Sequence, residues 1–229
     1  SSTVVLVREA AGAPEIFMVR RHERSSFGAA FAFPGGVIDA DDASHADCCD
    51  GRTTAQANGI LRLHDGGLDF YVGAVRELFE ETGVLLADVT QSSGELAALR
   101  IRLNRHSLTW ADFLRDSGAR MLCDRLHYFS HWITPETMQK RYTTRFFVAR
   151  LPGGQVARHD DGELTESQWL TAQDALQAAA DGRMKLHYPT IRTLQSLAAH
   201  ESVIALVEWA CAREAAGVEA IQPVLPAAP

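Results

Sequence analysis

No uninterrupted apolar run in the sequence is long enough to span a bilayer, so a membrane-crossing helix is not expected. The first residues, SSTVVLVREAAG, lack a basic segment followed by an apolar core and a cleavage site, which argues against a signal peptide. Cysteine is scarce. Cys48, Cys49, Cys123 and Cys211 show no Cys-x-x-Cys spacing, and the adjacent pair is poorly placed to bond to itself. Reduced thiols in a cytoplasmic setting are the expectation. An excess of positive charge is missing too: the formal net charge of -7 argues against nucleic acid and against anionic membrane as partners. No internal repeat is visible.

What is present is the composition of a soluble globular chain, 46% hydrophobic and 22% charged over 229 residues, enough for one elaborated domain. Residues 3–8 (TVVLVR) and 15–20 (EIFMVR) are β-branched or apolar runs separated by EAAGAP, which predicts a hairpin. Residues 40–68 are polar and glycine-rich with little periodicity and read as an insertion or long loop. The spacing of Val75, Leu78, Phe79 and Thr82 predicts a helix over about 70–82, capped by Asp69 and ended by Gly83. Residues 94–120 are more helical. LHYFSHWITPE leads into RYTTRFFVARL, a strand, and a further strand ends near Leu170 before a helix capped by Thr171. Residues 188–216 read as helical, opening at Pro189, with a proline-rich tail beyond. The alternation of strands with few helices predicts an α+β or α-β-α layered domain with a mixed sheet.

The predicted helix carries Glu77, Glu80 and Glu81 on one face. Three carboxylates so close repel or take up protons unless cations neutralise them. Oxygen-only donors suit hard divalent ions such as Mg²⁺ or Mn²⁺. Arg76, four residues before Glu80, can pair with it. A solvated acidic face is the bland alternative.

RELFEETGV (residues 76–84) resembles the second half of the Nudix box at every specified position, Arg-Glu-apolar-x-Glu-Glu-x-Gly-apolar, and FPGGVID (33–39) is similar to the loop that opens that box. Here Gly36 lies 40 residues before Arg76 instead of the usual 14, so about 26 are inserted. Asp39 stands where many members have a glutamate. The intermediate glutamate has no secure counterpart, though Asp42 has the right offset from Gly36. The split box resembles the branch that includes peroxisomal coenzyme A diphosphatases, as do KRYTTRFFVA (140–149) and WLTAQDAL (169–176). The chain ends PAAP without a Ser-Lys-Leu address, so a peroxisomal location does not follow.

The resemblance implies a single Nudix hydrolase domain over 1–229, an α-β-α sandwich with a mixed β-sheet. Residues 40–68 would be inserted in the box and helices with a tail appended over 188–229. It implies hydrolysis of a diphosphate in a nucleoside-diphosphate-linked small molecule. Coenzyme A or acyl-CoA is the first choice; ADP-ribose, NADH and nucleotide sugars are the alternatives, and a non-catalytic nucleotide-binding module is a further one. Glu77, Glu80 and Glu81, with the Gly35 carbonyl, would hold the divalent metal, and Arg76 would orient a glutamate. The general base would be Glu77 or Glu163, with Glu166 a weaker choice. Arg20, Arg21 and Arg24 could bind substrate phosphates, as more weakly could Arg141 and Arg145. Gly36 and Phe33 line the same loop, and Phe27, Phe31 and Phe33 could stack on a base. His127 and His131 at i, i+4 would suit zinc only on a helix. The alanine-rich C-terminal helices could serve packing, a homodimer, or both.

Overall fold

A computed structural model of the chain describes residues 1–22, 29–160 and 162–223. Its strands are β1 (Ser2–Arg8), β2 (Glu15–Arg21), β3 (Phe31–Ala32), β4 (Gly35–Gly36), β5 (Cys49–Asp50), β6 (Ala87–Asp88), β7 (Arg120–Leu122), β8 (His127–Ile133), β9 (Thr143–Arg150), β10 (Leu164–Thr171) and β11 (Ala220–Ile221). Its helices are α1 (Thr54–Leu61), α2 (Gly67–Thr82), α3 (Ser93–Asn104), α4 (Trp110–Ser117), α5 (Ala172–Ala180), α6 (Tyr188–Leu197) and α7 (Val203–Ala216). Among the described residues no helix is long and apolar enough to cross a membrane, and all four cysteines are free.

The apolar run of β1 is continuous because both of its faces are covered. Val4 and Leu6 point into one core with Phe17, Val19, Phe147 and the apolar stripe of α2. Val5 and Val7 point into the other with Ile16, Met18, Val148 and the helices α5, α6 and α7. The main sheet runs β10-β2-β1-β9-β8-β11, with β3 on β2 and β4 on β1. The central pair β1 and β9 is parallel while β1–β2, β2–β10 and β8–β9 are antiparallel, so the sheet is mixed, as expected. The two helical layers make it an α-β-α sandwich.

Helix α2 forms because Leu68, Tyr71, Val72, Val75, Leu78, Phe79 and Thr82 recur at helical spacing, and all are buried. Each large side chain so buried contributes about 1.5–3 kcal/mol. Gly83 ends the helix in the left-handed conformation (φ 74), its N–H donating to the Phe79 carbonyl at 2.8 Å. The start differs from the expectation of an Asp69 cap. The helix opens three residues earlier, after Gly66, and Asp69 lies in its first turn. Its cap is tertiary: Asn58 Oδ1, on α1, accepts the Gly67 N–H at 2.8 Å.

The segment 40–68 also departs from the expected irregular loop. Two short 3-10 turns lead to β5, which pairs with β7 in a small second sheet, and then to α1. Helix α1 opens with a capping box at Thr53-x-x-Gln56: Gln56 N–H donates to Thr53 Oγ1, and Thr53 N–H to Gln56 Oε1. Ala57 and Leu61 anchor the helix in the core shared with α2. The helical stretches 94–120 and 188–216 each divide into two helices, α3 and α4, then α6 and α7.

Two pairings bring the distant loop 33–39 to α2. Strand β4 lies antiparallel on the start of β1, with Ser2 opposite Gly36 and Thr3 opposite Gly35. The Val4 N–H donates to the Pro34 carbonyl at 2.8 Å. Because α2 packs on the same stretch of β1, the Gly35-Gly36 turn meets its last two turns.

Candidate active site

Glu81 is 4% exposed and held from two sides. Its Oε2 accepts the Gly35 N–H at 2.8 Å, and its Oε1 lies 3.0 Å from Arg21 Nη2. The same Arg21 nitrogen donates to the Gly35 carbonyl. Only glycine fits at 35: φ is 146, and a Cβ there would overlap the Ser2 carbonyl and Thr3 Cα. At 36 a Cβ would overlap the Glu77 carboxylate, which rests against the bare backbone.

Arg76, 6% exposed, organises the remaining acids. Its Nε and Nη2 make a bidentate pair with Asp42 at 2.9 and 3.0 Å. Nη1 donates to Glu77 at 3.1 Å and to Glu80 at 3.0 Å, and Nη2 also reaches the Val37 carbonyl at 3.1 Å. Each of the five N–H groups of the guanidinium therefore has an acceptor. Asp42, 1% exposed, is further fixed by the Asp39 N–H at 2.8 Å. The offset from Gly36 had singled out Asp42; the bidentate pair shows what it does. It ties the first half of the box to the second across the insert. Asp39 is largely exposed, 3.6 Å from Arg76.

Four carboxylates (Asp42, Glu77, Glu80 and Glu81) face two guanidiniums (Arg21 and Arg76), which leaves −4 + 2 = −2 when all are ionised. Burial pushes Glu77 up to about 7, with Glu80 adding to the rise and Arg76 opposing it. Burial pushes Glu81 up to about 8 against the pull of Arg21, with Glu77 adding. Glu80 is raised as well, first by burial. This is a site short of positive charge, built of hard oxygen donors, and a divalent cation fits that chemistry. Among the described residues no three His, Cys, Asp or Glu side chains are closed up on one point as a metal site. Arg76 draws Glu77 and Glu80 to itself, and the Arg21 guanidinium fills the place between Glu81 and the Gly35 carbonyl.

The end of α2 is secured by groups with no sequence signal. Arg100 Nε and Asn104 Nδ2, from α3, both donate to the Glu80 carbonyl at 3.0 Å. The Arg158 and Asp160 N–H groups donate to the Thr82 and Glu81 carbonyls at 2.9 and 3.1 Å. They dock the loop that carries Glu163 against the helix end. Glu163 is exposed, and its charge adds to the rise of Glu81, after burial and Glu77.

Other expected residues fall elsewhere. Strand alternation puts Arg20 on the opposite face of β2 from Arg21; it pairs with Glu166 at 3.5 Å, away from the glutamates. Phe33 is 2% exposed and packs edge-to-face on Phe146 in the second core, so its ring cannot stack on a base; Phe31 is buried there too. Arg24 and Phe27 lie outside the described residues. Arg141 is 3.9 Å from Glu136. His127 and His131 lie on β8 rather than on a helix. His127 Nδ1 meets Cys211 Sγ at 3.3 Å and His131 Nε2 meets Thr143 Oγ1 at 2.6 Å, so the pair forms no zinc site.

A family profile described as the NUDT19 Nudix domain matches residues 63–197. The acyl-coenzyme A diphosphatase NUDT19 of Xenopus laevis is 24% identical, over 92% of this chain and 67% of its own length. The human protein of that name is 27% identical, over 68% of this chain and 46% of its own. This chain thus spans about two thirds of the first relative and about half of the second. The crystal structure of a NUDIX hydrolase from Alicyclobacillus acidocaldarius superposes with a TM-score of 0.73 at 28% identity, covering 90% of this chain and 93% of that one.

Proposed function

The chain belongs to the Nudix hydrolase family, and from that membership we propose that it hydrolyses the diphosphate linkage of a nucleotide-containing small molecule with Mg²⁺ or Mn²⁺ bound. The observation that carries this reading is the excess of two negative charges in the buried cluster around Glu81 and the Gly35-Gly36 turn. Glu77, Glu80, Glu81 and the Gly35 carbonyl would hold the cation. When bound, it supplies Lewis-acid polarisation of the phosphoryl oxygens and neutralises the charge that develops on them.

The protein's own groups orient and deprotonate. Arg76 holds Glu77 and Glu80 in register, and Asp42 holds Arg76. Arg21, released from Glu81 and the Gly35 carbonyl, becomes available to a substrate phosphate. Glu163 takes the proton from the attacking water, from a loop docked on the end of α2; Glu77, raised to about 7, is the other base within the cluster. Glu163→Gln is expected to lower kcat by about 10²-fold or more, with cation affinity by calorimetry unchanged. Full kcat in that variant transfers the role to Glu77.

Two relatives named acyl-coenzyme A diphosphatase support coenzyme A or its thioesters as the substrate. Mass spectrometry of products from a panel of coenzyme A, acyl-CoA, ADP-ribose, NADH and nucleotide sugars, with each metal, tests the proposal. Cleavage of the diphosphate bond in one class is the expected result. A chain that binds nucleotides yet cleaves none on the panel is a binding module.

A further inference from the structure

Arg21 and Arg76 are both committed to carboxylates, but a third arginine at this end of the sheet, Arg145, is not. Arg145 is 5% exposed, and its Nε has no hydrogen-bond partner. No carboxylate among the described residues lies within ion-pair distance of it. Burial depresses its pKa, offset by Tyr128 among the described residues. The Phe70 ring covers one face of the guanidinium, 4.1 Å from Cζ, and the buried Nε–H beside it has no acceptor. A cation–ring contact offsets only part of the cost of desolvating an unpaired guanidinium. Buried charges are otherwise paired, so the arrangement lacks an anion.

Its position says whose anion. Sheet register places Gly36, Ser2, Arg145 and His131 side by side on neighbouring strands β4, β1, β9 and β8. Alternation turns Arg145 to the α2 face, the face of its neighbour-but-one Phe147. Ser2 Oγ donates to the Phe70 carbonyl on that same face at 2.7 Å. Gly36 is where the Glu77 carboxylate rests. Arg145 therefore stands two strand spacings, roughly 10 Å, along the sheet from the catalytic glutamates. His131 adds no second charge, since burial and Arg145 hold its pKa down at about 4.

We propose that Arg145 receives a second phosphate of the substrate, a phosphomonoester on the nucleoside, while the diphosphate lies against the cation that Glu77, Glu80 and Glu81 would hold. This rests on the diphosphate-hydrolase reading and narrows it. A planar guanidinium edge matches a phosphate bidentately. Coenzyme A carries such a group on its ribose; ADP-ribose, NADH and nucleotide sugars do not.

Two measurements test it on the full chain. In the first, inorganic phosphate is titrated into metal-free protein while melting is followed. Wild type is expected to gain stability, Arg145→Gln to gain less, and Arg145→Lys to fall between. Equal gains in all three, or none, overturn the proposal. In the second, kinetics are compared on coenzyme A and on the same molecule lacking the ribose phosphate. Wild type should show a KM about 10- to 100-fold lower for the phosphorylated form, with kcat nearly equal, and Arg145→Gln should erase that preference alone. Equal slowing of both substrates, or no preference in wild type, makes the residue structural. If neither substrate is cleaved, the functional reading fails, and the phosphate-dependent melting still decides the site.

Discussion

Replacing Glu81 with glutamine is expected to lower metal-dependent hydrolysis by about 10³-fold, the loss of several kcal/mol of transition-state stabilisation, while leaving the metal-free protein at least as stable as wild type. The two effects separate because, on the proposed reading, Glu81 would serve a bound cation at the expense of the fold. Its carboxylate is buried, and burial raises its pKa from the ordinary 4.5 to about 8. A carboxylate whose folded pKa lies above its unfolded one contributes stability in the protonated form, fully present below about 4.5 and lost as pH climbs to about 8. Glu77, raised to about 7, acts in the same direction. The melting temperature of the metal-free chain should therefore fall as pH rises from 4.5 to 8, and Mg²⁺ or Mn²⁺ should restore it most at the upper end. Glutamine at 81 removes part of that slope and part of the restoration. Calorimetric melts with and without metal, alongside initial rates, check both halves. Full metal-dependent activity in Glu81→Gln would sink the assignment of Glu81 as a ligand.

Asp42→Asn should act on the fold in the opposite way, destabilising it by about 3–5 kcal/mol, the usual cost of breaking a buried ion pair from one side. In a chain of this size that is a drop of roughly 10 °C in melting temperature. Asp42 accepts both Arg76 bonds of its bidentate pair and the Asp39 N–H, and it is 1% exposed. Without its charge the Arg76 guanidinium is drawn further toward Glu77 and Glu80, so catalysis should decline together with stability. Asp39→Asn is the control. Asp39 is largely exposed and 3.6 Å from Arg76, so its loss should cost less than about 0.5 kcal/mol. A melting temperature for Asp42→Asn equal to that of the control would show that Asp42 is not the clamp.

Much of α2 was legible because its information is local. The apolar stripe, the shared face of Glu77, Glu80 and Glu81, and the left-handed stop at Gly83 all follow from spacing within one helix. The start of α2 was not legible, because its cap is the Asn58 side chain of a helix that loop-like composition concealed. The Thr53-x-x-Gln56 box was the available signal for α1, and weak apolar periodicity hid it.

The sequence by itself determined the strands β1 and β2, the helix α2, and the requirement that its crowded acids be neutralised, since each is settled by period and charge within a few residues. Only the tertiary structure decided which groups do the neutralising. Strand alternation sends Arg21 to the glutamates and Arg20 to Glu166, one residue apart and on opposite faces. The pairing of β4 on β1 carries Gly35 and Gly36 across the insert to α2. Asp42 reaches Arg76 from 34 residues away. Arg145 is buried against Phe70 with no carboxylate among the described residues to pair with it. Such contacts depend on how distant segments pack, and the spacing of residues along the chain does not encode which segments will meet.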